Sequence, residues 1–135
     1  MLKNQHLFFQ KSIEQNPSHF SAHTNLVILL DEQEKFQLAE KKAKEAMAIF
    51  PGKSDFHFHL ANIYGKTKQY NLAKSFYEKA INMSPKNPYY YTNYGVLYHR
   101  EKKFDKAIEM YKKALQIDPN HRSARSNLNI LMDKT

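Results

Sequence analysis

Histidine is the residue type in this sequence most suited to metal binding or acid–base chemistry, with seven copies beside no cysteine. His19 and His23 have the i, i+4 spacing of a metal-binding pair on one helix face. His19 falls in a turn after Pro17, however, and no third ligand lies near the pair in sequence. His57 and His59 are two residues apart, so they point to different sides of a helix. We therefore expect no metal site and no cofactor.

Catalysis would require groups that the sequence lacks. It contains no Gly-rich phosphate loop, no nucleophile elbow and no pair of carboxylates placed for acid and base roles. Without cysteine, there is also no thiolate nucleophile. We therefore predict that the chain is not an enzyme and has no catalytic residue.

Asparagine is a second residue type with a chemical role, and it recurs at a fixed interval. Asn25, Asn93 and Asn127 lie in one series at multiples of 34 residues, and His59 takes the remaining place. A side-chain amide offers one acceptor and two donors, so it can bond to both the N–H and the C=O of an extended peptide. The recurrence fits common ancestry of repeated segments equally well, and both explanations stay open.

The same interval of 34 residues separates four prolines, Pro17, Pro51, Pro85 and Pro119. Only 3 glycines occur in 135 residues while helix-forming residues are abundant, which indicates an all-α protein. The length suits one folding unit. Division at the prolines gives a half repeat at 1–19, full repeats at 20–53, 54–87 and 88–121, and a half repeat at 122–135.

Small and aromatic residues recur within each repeat in a pattern that predicts two antiparallel helices. An aromatic residue begins each second helix, at Phe36, Tyr70 and Phe104, and small residues follow it as Ala39 and Ala46, Ala73 and Ala80, and Ala107 and Ala114. Small residues let two helices approach closely. In period and pattern the chain resembles the tetratricopeptide-repeat (TPR) family. The resemblance implies a TPR α-solenoid, a right-handed superhelix of antiparallel helix pairs.

The sequence departs from the family pattern at two places in each repeat. His23, His57 and Tyr91 stand where the family usually has Trp, and Glu34, Lys68 and Lys102 stand where it usually has a turn glycine. We expect the turns at those three residues to be tight and slightly strained.

The resemblance also implies a function, because the first helix of each TPR repeat lines the concave surface of the superhelix. It implies a protein-interaction module that binds an extended peptide or protein segment in that groove. The candidate contacts are Asn25, Phe58, His59, Asn62, Tyr89, Asn93, Val96 and Asn127. The clamp of Lys, Arg and Asn by which chaperone-binding TPR proteins grip a C-terminal carboxylate is absent, so a heat-shock-protein tail is not the expected ligand.

The net charge is +8, from 21 Lys and Arg against 13 Asp and Glu. Many lysines fall on second helices, among them Lys41, Lys74 and Lys112, and no aromatic residues are interleaved with them for base stacking. This pattern favours a solvated outer face over nucleic-acid binding, while an acidic partner on the convex face stays an alternative. The longest apolar runs, such as 26–30, are too short to insert in a membrane.

The first helix carries apolar residues at unusual places. Leu7 and Phe8 stand where the next repeat has Lys41 and Lys42. An exposed apolar face of this kind predicts that the chain is a piece of a longer array, or that it self-associates through its N-terminal helix. In the alternative, Met1 is the true start and these residues fold against the first repeat of their own chain.

Two runs, LANIYGKTKQY at 60–70 and NYGVLYHR at 93–100, resemble the C-terminal repeats of the transmembrane, TPR-containing O-mannosyltransferases that modify cadherins. This resemblance implies an acceptor-binding region in the endoplasmic reticulum lumen, with the catalytic domain absent from this sequence. The sequon Asn82-Met83-Ser84 fits a lumenal location. On composition alone the compartment stays open, the cytoplasm included.

Overall fold

The computed structural model describes residues 2–133. Within them the chain forms eight α-helices and no strand, which confirms the predicted all-α fold. The helices are α1 (Leu2–Gln15), α2 (Phe20–Glu32), α3 (Phe36–Ile49), α4 (Asp55–Lys66), α5 (Tyr70–Met83), α6 (Pro88–Arg100), α7 (Phe104–Ile117) and α8 (Arg122–Asp133). We call α2, α4, α6 and α8 the first helices, and α1, α3, α5 and α7 the second helices.

The helices divide into two compact units, Met1–Phe76 and Tyr77–Thr135, called unit 1 and unit 2. The boundary falls inside α5, whereas the chain length alone suggested one folding unit. In a repeat fold each helix touches mainly its neighbours in sequence, so the core forms between adjacent helices.

Unit 2 depends on a close approach between α6 and α7. Gly95 of α6 lies directly on the ring of Tyr111 of α7, and a Cβ atom added to Gly95 would stand 2.6 Å from Cε1 of that ring. Tyr111 is fully buried. In the first repeat the same two positions hold Val27 and Ala43, both buried. The larger residue of the pair thus lies on the first helix in the first repeat and on the second helix in the third repeat. In both repeats it fills the space between the two helices.

Near the starts of α2, α6 and α8, a side chain is tied to the end of the preceding repeat. The donor lies six residues after a repeat-closing proline and bonds to the carbonyl oxygen of that proline. His23 Nε2 lies 2.8 Å from Pro17 O, Tyr91 Oη lies 3.1 Å from Pro85 O, and Arg125 Nη2 lies 3.4 Å from Pro119 O. Polar residues at the usual Trp position therefore help to fix where these three first helices begin.

The turn inside each repeat has the strained backbone predicted from the sequence. Glu34, Lys68 and Lys102 adopt φ values of 60°, 64° and 62°. The residue after each of them bonds back into the first helix, as Lys35 N does to Leu30 O at 2.9 Å. This six-residue hydrogen bond requires a left-handed residue, which is usually glycine. The position of the turn was correctly predicted even though no glycine marks it.

Replacing Gly95 by Ala should lower the free energy of unfolding by roughly 1–3 kcal/mol, because the buried ring of Tyr111 has little room to move. Gly52→Ala is the matched control, since nothing lies within 4 Å of its added Cβ. Urea denaturation followed by circular dichroism measures both variants. Equal stability of the two would contradict the close approach of α6 to α7.

Replacing Glu34 by Gly should raise the free energy of unfolding by about 0.5–1 kcal/mol. The left-handed conformation costs an ordinary residue about 1–2 kcal/mol, and the added backbone freedom of glycine offsets part of the gain. Gln33→Gly is the control, because Gln33 has a φ of −80° that gains nothing from glycine. Thermal unfolding should rank the Glu34 variant highest and the Gln33 variant lowest.

Candidate functional site

The first helices of unit 1 carry four of the predicted contacts on one surface. Asn25 and Ile28 of α2 are exposed, and Phe58, His59 and Asn62 of α4 are half-buried. Residues three and four positions apart share a helix face, so Asn25 lies beside Ile28 and Phe58 beside Asn62. We call these five residues, which combine amides with apolar side chains, the unit 1 surface.

An ion pair joins the two helices that form the unit 1 surface. Lys66 Nζ of α4 lies 2.9 Å from each carboxylate oxygen of Asp31 on α2. The charged groups lie three or four residues beyond Ile28 and Asn62, on the same helix faces. The pair bridges α2 and α4 at the end of the surface, and it already satisfies the charge of Lys66.

His59 is the one titratable side chain of the unit 1 surface. Its ring centroid lies 5.6 Å from that of Phe58 and 6.4 Å from that of Phe56. Burial lowers the pKa of His59 below the usual imidazole range, while Asp55 and Asp31 act in the opposite direction. The imidazole is therefore neutral at pH 7, with one ring nitrogen able to donate and the other able to accept a hydrogen bond.

The first helices of unit 2 carry the other four predicted contacts. Tyr89 is 59% exposed, and Asn93, Val96 and Asn127 are half-buried. We call these four residues the unit 2 surface. The structure thus places four of the eight candidate contacts on each unit.

The N-terminus of α6 positions Tyr89. Asn87 caps this helix by accepting a hydrogen bond from Tyr89 N at 3.0 Å, and Pro88 occupies the first turn. The Tyr89 ring also meets His121 edge-on, with centroids 4.6 Å apart. Thr92, on the same helix, is buried and donates to Pro88 O at 2.8 Å. Tyr89 is therefore anchored at its backbone and ring while most of its surface stays open.

Two contacts at these surfaces could not be found by sequence reasoning. The Asp31–Lys66 pair joins residues 35 apart, and the Tyr89–His121 contact joins residues 32 apart. First helices of successive repeats lie side by side, so the repeat register indicates which helices meet but not which of their residues pair. Three other oppositely charged pairs are also 35 residues apart, at 66 and 101, 74 and 109, and 78 and 113, so register would not have selected this ion pair.

The histidine pair considered as a metal site is not arranged as one. His23 is buried and its Nε2 bonds to Pro17 O, so that nitrogen is engaged by the fold. Among residues 2–133 no group of three or more His, Cys, Asp or Glu side chains is placed to hold a metal ion. No described helix is long and apolar enough to cross a membrane.

Comparison with protein families identifies the repeats. Two models described as tetratricopeptide repeat match residues 54–87 and 88–121, the second and third full repeats delimited by the prolines. Together they cover half of the chain. No curated protein matches the chain in sequence. The likeness to O-mannosyltransferases therefore stays a prediction.

Solved structures share the fold at low sequence identity. YrrB, described as a TPR protein with an unusual peptide-binding site, is 22% identical, with a TM-score of 0.78 over 94% of this chain and 66% of that one. MamA is 17% identical, with a TM-score of 0.75 over 93% and 74%. The first TPR of Spaghetti (RPAP3), bound to the HSP90 peptide SRMEEVD, is 18% identical, with a TM-score of 0.75 over 85% and 91%.

Replacing His59 by Asn should remove part of the pH dependence of stability. Because the folded-state pKa of His59 is lowered, its contribution to stability is complete above the unfolded pKa of about 6.5. That contribution is lost as the pH falls from about 6.5 through the lower folded-state pKa. The melting temperature of the wild type should therefore fall further than that of His59→Asn between about pH 7.5 and about pH 5. Equal falls would contradict this assignment.

Proposed function

Because this chain belongs to the tetratricopeptide-repeat family, we propose that it is a protein-interaction module that binds extended protein segments on its first helices. The observation that carries the proposal is the unit 1 surface, with exposed Asn25 and Ile28 on α2 and half-buried Phe58, His59 and Asn62 on α4. The Asp31–Lys66 ion pair joins these two helices. Amides and apolar side chains together are what an extended segment requires, since its backbone and its side chains both need partners.

The polar groups of the unit 1 surface suit a peptide backbone. The amide of Asn25 is exposed and offers both a donor and an acceptor. His59, neutral at pH 7, offers the same pair of functions one repeat later. The two residues are equivalent by repeat register, on helices bridged by the Asp31–Lys66 ion pair. They can therefore bond to successive stretches of one extended chain.

The apolar groups of the unit 1 surface would select the side chains of the ligand. Ile28 is 36% exposed, and Phe58 packs beside the His59 ring at 5.6 Å. Burial of an aliphatic or aromatic ligand side chain against these groups supplies affinity that backbone bonds alone do not. The preferred ligand is thus an extended segment with a large apolar residue.

The printed descriptions of two structural neighbours support peptide binding by this fold. YrrB has a peptide-binding site, and the RPAP3 repeat binds an HSP90 peptide that contains two glutamates. In unit 1 of this chain the cation on the first helices is Lys66, which Asp31 already holds through both oxygens. This arrangement supports a ligand bound through amides and apolar contacts.

Replacing Asn25 by Ala should weaken binding of a selected peptide by about 0.5–1.5 kcal/mol, roughly two- to tenfold. Phe58→Ala should weaken it further, because it removes an apolar contact. The peptides come from selection of a random displayed library on the immobilised chain, and fluorescence polarisation measures their dissociation constants.

Lys41→Ala with Lys74→Ala, on the second helices of the same unit, is the control and should leave affinity unchanged in moderate salt. Amide shift mapping by NMR should place the perturbed residues on α2 and α4. Loss of affinity in the lysine variant, with the Asn25 and Phe58 variants unaffected, would place the ligand on the second helices and contradict the proposal.

A further inference from the structure

By repeat register α1 is a second helix and α8 is a first helix, so the two helices are of opposite type. Each carries large exposed apolar side chains, Leu7 at 57% and Phe8 at 64% on α1, and Ile130 and Met132 at 48% each on α8. Within a repeat a first helix and a second helix pack on each other, as α6 and α7 do. α1 and α8 thus present complementary halves of one repeat.

The contact between the two helices of one repeat is visible inside unit 1. Phe76 of α5 lies on α4, with its ring centroid 5.9 Å from His57 and 5.5 Å from Tyr64. His57 and Tyr64 are seven residues apart, two turns along the same helix face. An aromatic side chain of the second helix therefore sits between two side chains of the first.

The repeat period places the same three positions on α1 and α8. Phe8 lies two periods of 34 residues before Phe76, and Arg125 and Met132 lie two periods after His57 and Tyr64. Phe8 and Met132 have the exposures given above, and Arg125 is exposed as well. We propose that α1 of one copy of this chain docks on α8 of a second copy, with Phe8 between Arg125 and Met132, which completes a repeat from two molecules.

The chemistry of the three side chains suits this contact. A guanidinium group over an aromatic face gains cation–π attraction, and a methionine sulfur makes favourable contact with a ring. Arg125 is already oriented, since its Nη2 lies 3.4 Å from Pro119 O. Phe8 thereby exchanges exposed apolar area for contacts of the type that hold Phe76 in place.

Register also distinguishes Phe8 from its equally exposed neighbour. Residues equivalent to Leu7 in the three later repeats are Lys41, Ser75 and Glu109, and all are exposed. Residues equivalent to Phe8 are Lys42, Phe76 and Met110, and all are half-buried. Leu7 therefore points away from the docking face although its exposure is similar. The contact is head-to-tail, so each copy offers one docking face on α1 and a different docking face on α8.

Sedimentation velocity on the chain of 135 residues tests the proposal. The wild type should self-associate with rising concentration, and Phe8→Lys and Met132→Lys should each weaken association roughly tenfold or more. An equimolar mixture of those two variants should form dimers and nothing larger. In that mixture the intact α1 of the Met132 variant meets the intact α8 of the Phe8 variant, and the remaining faces are blocked.

Leu7→Lys is the matched control, with the same change of charge at the neighbouring residue, and it should associate like the wild type. Circular dichroism checks that every variant keeps its helix content. A wild type that stays monomeric at all concentrations overturns the proposal. So does a mixture of the two variants that stays monomeric, or a Leu7 variant that dissociates as fully as the Phe8 variant.

Discussion

The close approach of a first helix to a second helix is the constraint on which the rest of this structure depends. Gly95 allows it in unit 2, because a side chain there would overlap the ring of Tyr111. The fully buried alanines at positions 107 and 114 keep the rest of the contact equally tight. Protein interiors pack at nearly crystalline density, so bulk added on one helix must be removed from the other. The pair Gly95 and Tyr111 and the pair Val27 and Ala43 fill the equivalent space between the two helices of a repeat in different ways.

That approach also explains why the chain tolerates unfavourable turns. Three residues join the two helices of a repeat, and the middle one must adopt positive φ for the chain to reverse and the six-residue hydrogen bond to form. Glutamate and lysine there each cost about 1–2 kcal/mol relative to an unstrained residue. Burial of a large apolar side chain contributes roughly 1.5–3 kcal/mol, and each helix pair buries several, so the strain is outweighed. Tertiary packing, and not local preference, fixes the turn.

Sequence reasoning succeeded wherever one residue position has one role in every repeat. Each repeat contains a closing proline, alanines at the helix crossing and a turn at the position of Glu34. Because these features recur, the fold and the helix order could be predicted. The division into two units and the Asp31–Lys66 ion pair could not, because both depend on contacts between different repeats. The candidate contacts lie on the first helices as expected, but their burial differs within the series. Asn25 is exposed while Asn93 is half-buried, and the residues around each position decide this.

The unit 1 surface and the unit 2 surface can differ in chemistry because their residues lie outside the tightly packed core. The volume to be filled dictates the residues at core positions such as 95 and 111, whereas the side chains of Asn25, Asn93 and Asn127 are exposed or half-buried. The unit 1 surface contains the Phe58–His59 pair, and the nearby cation, Lys66, is neutralised by Asp31. Unit 2 instead presents Tyr89 at the start of α6 and exposed Arg100 at its end. If both surfaces bind extended segments, unit 1 favours an uncharged apolar stretch, and unit 2 favours one that carries an acidic group near an apolar residue.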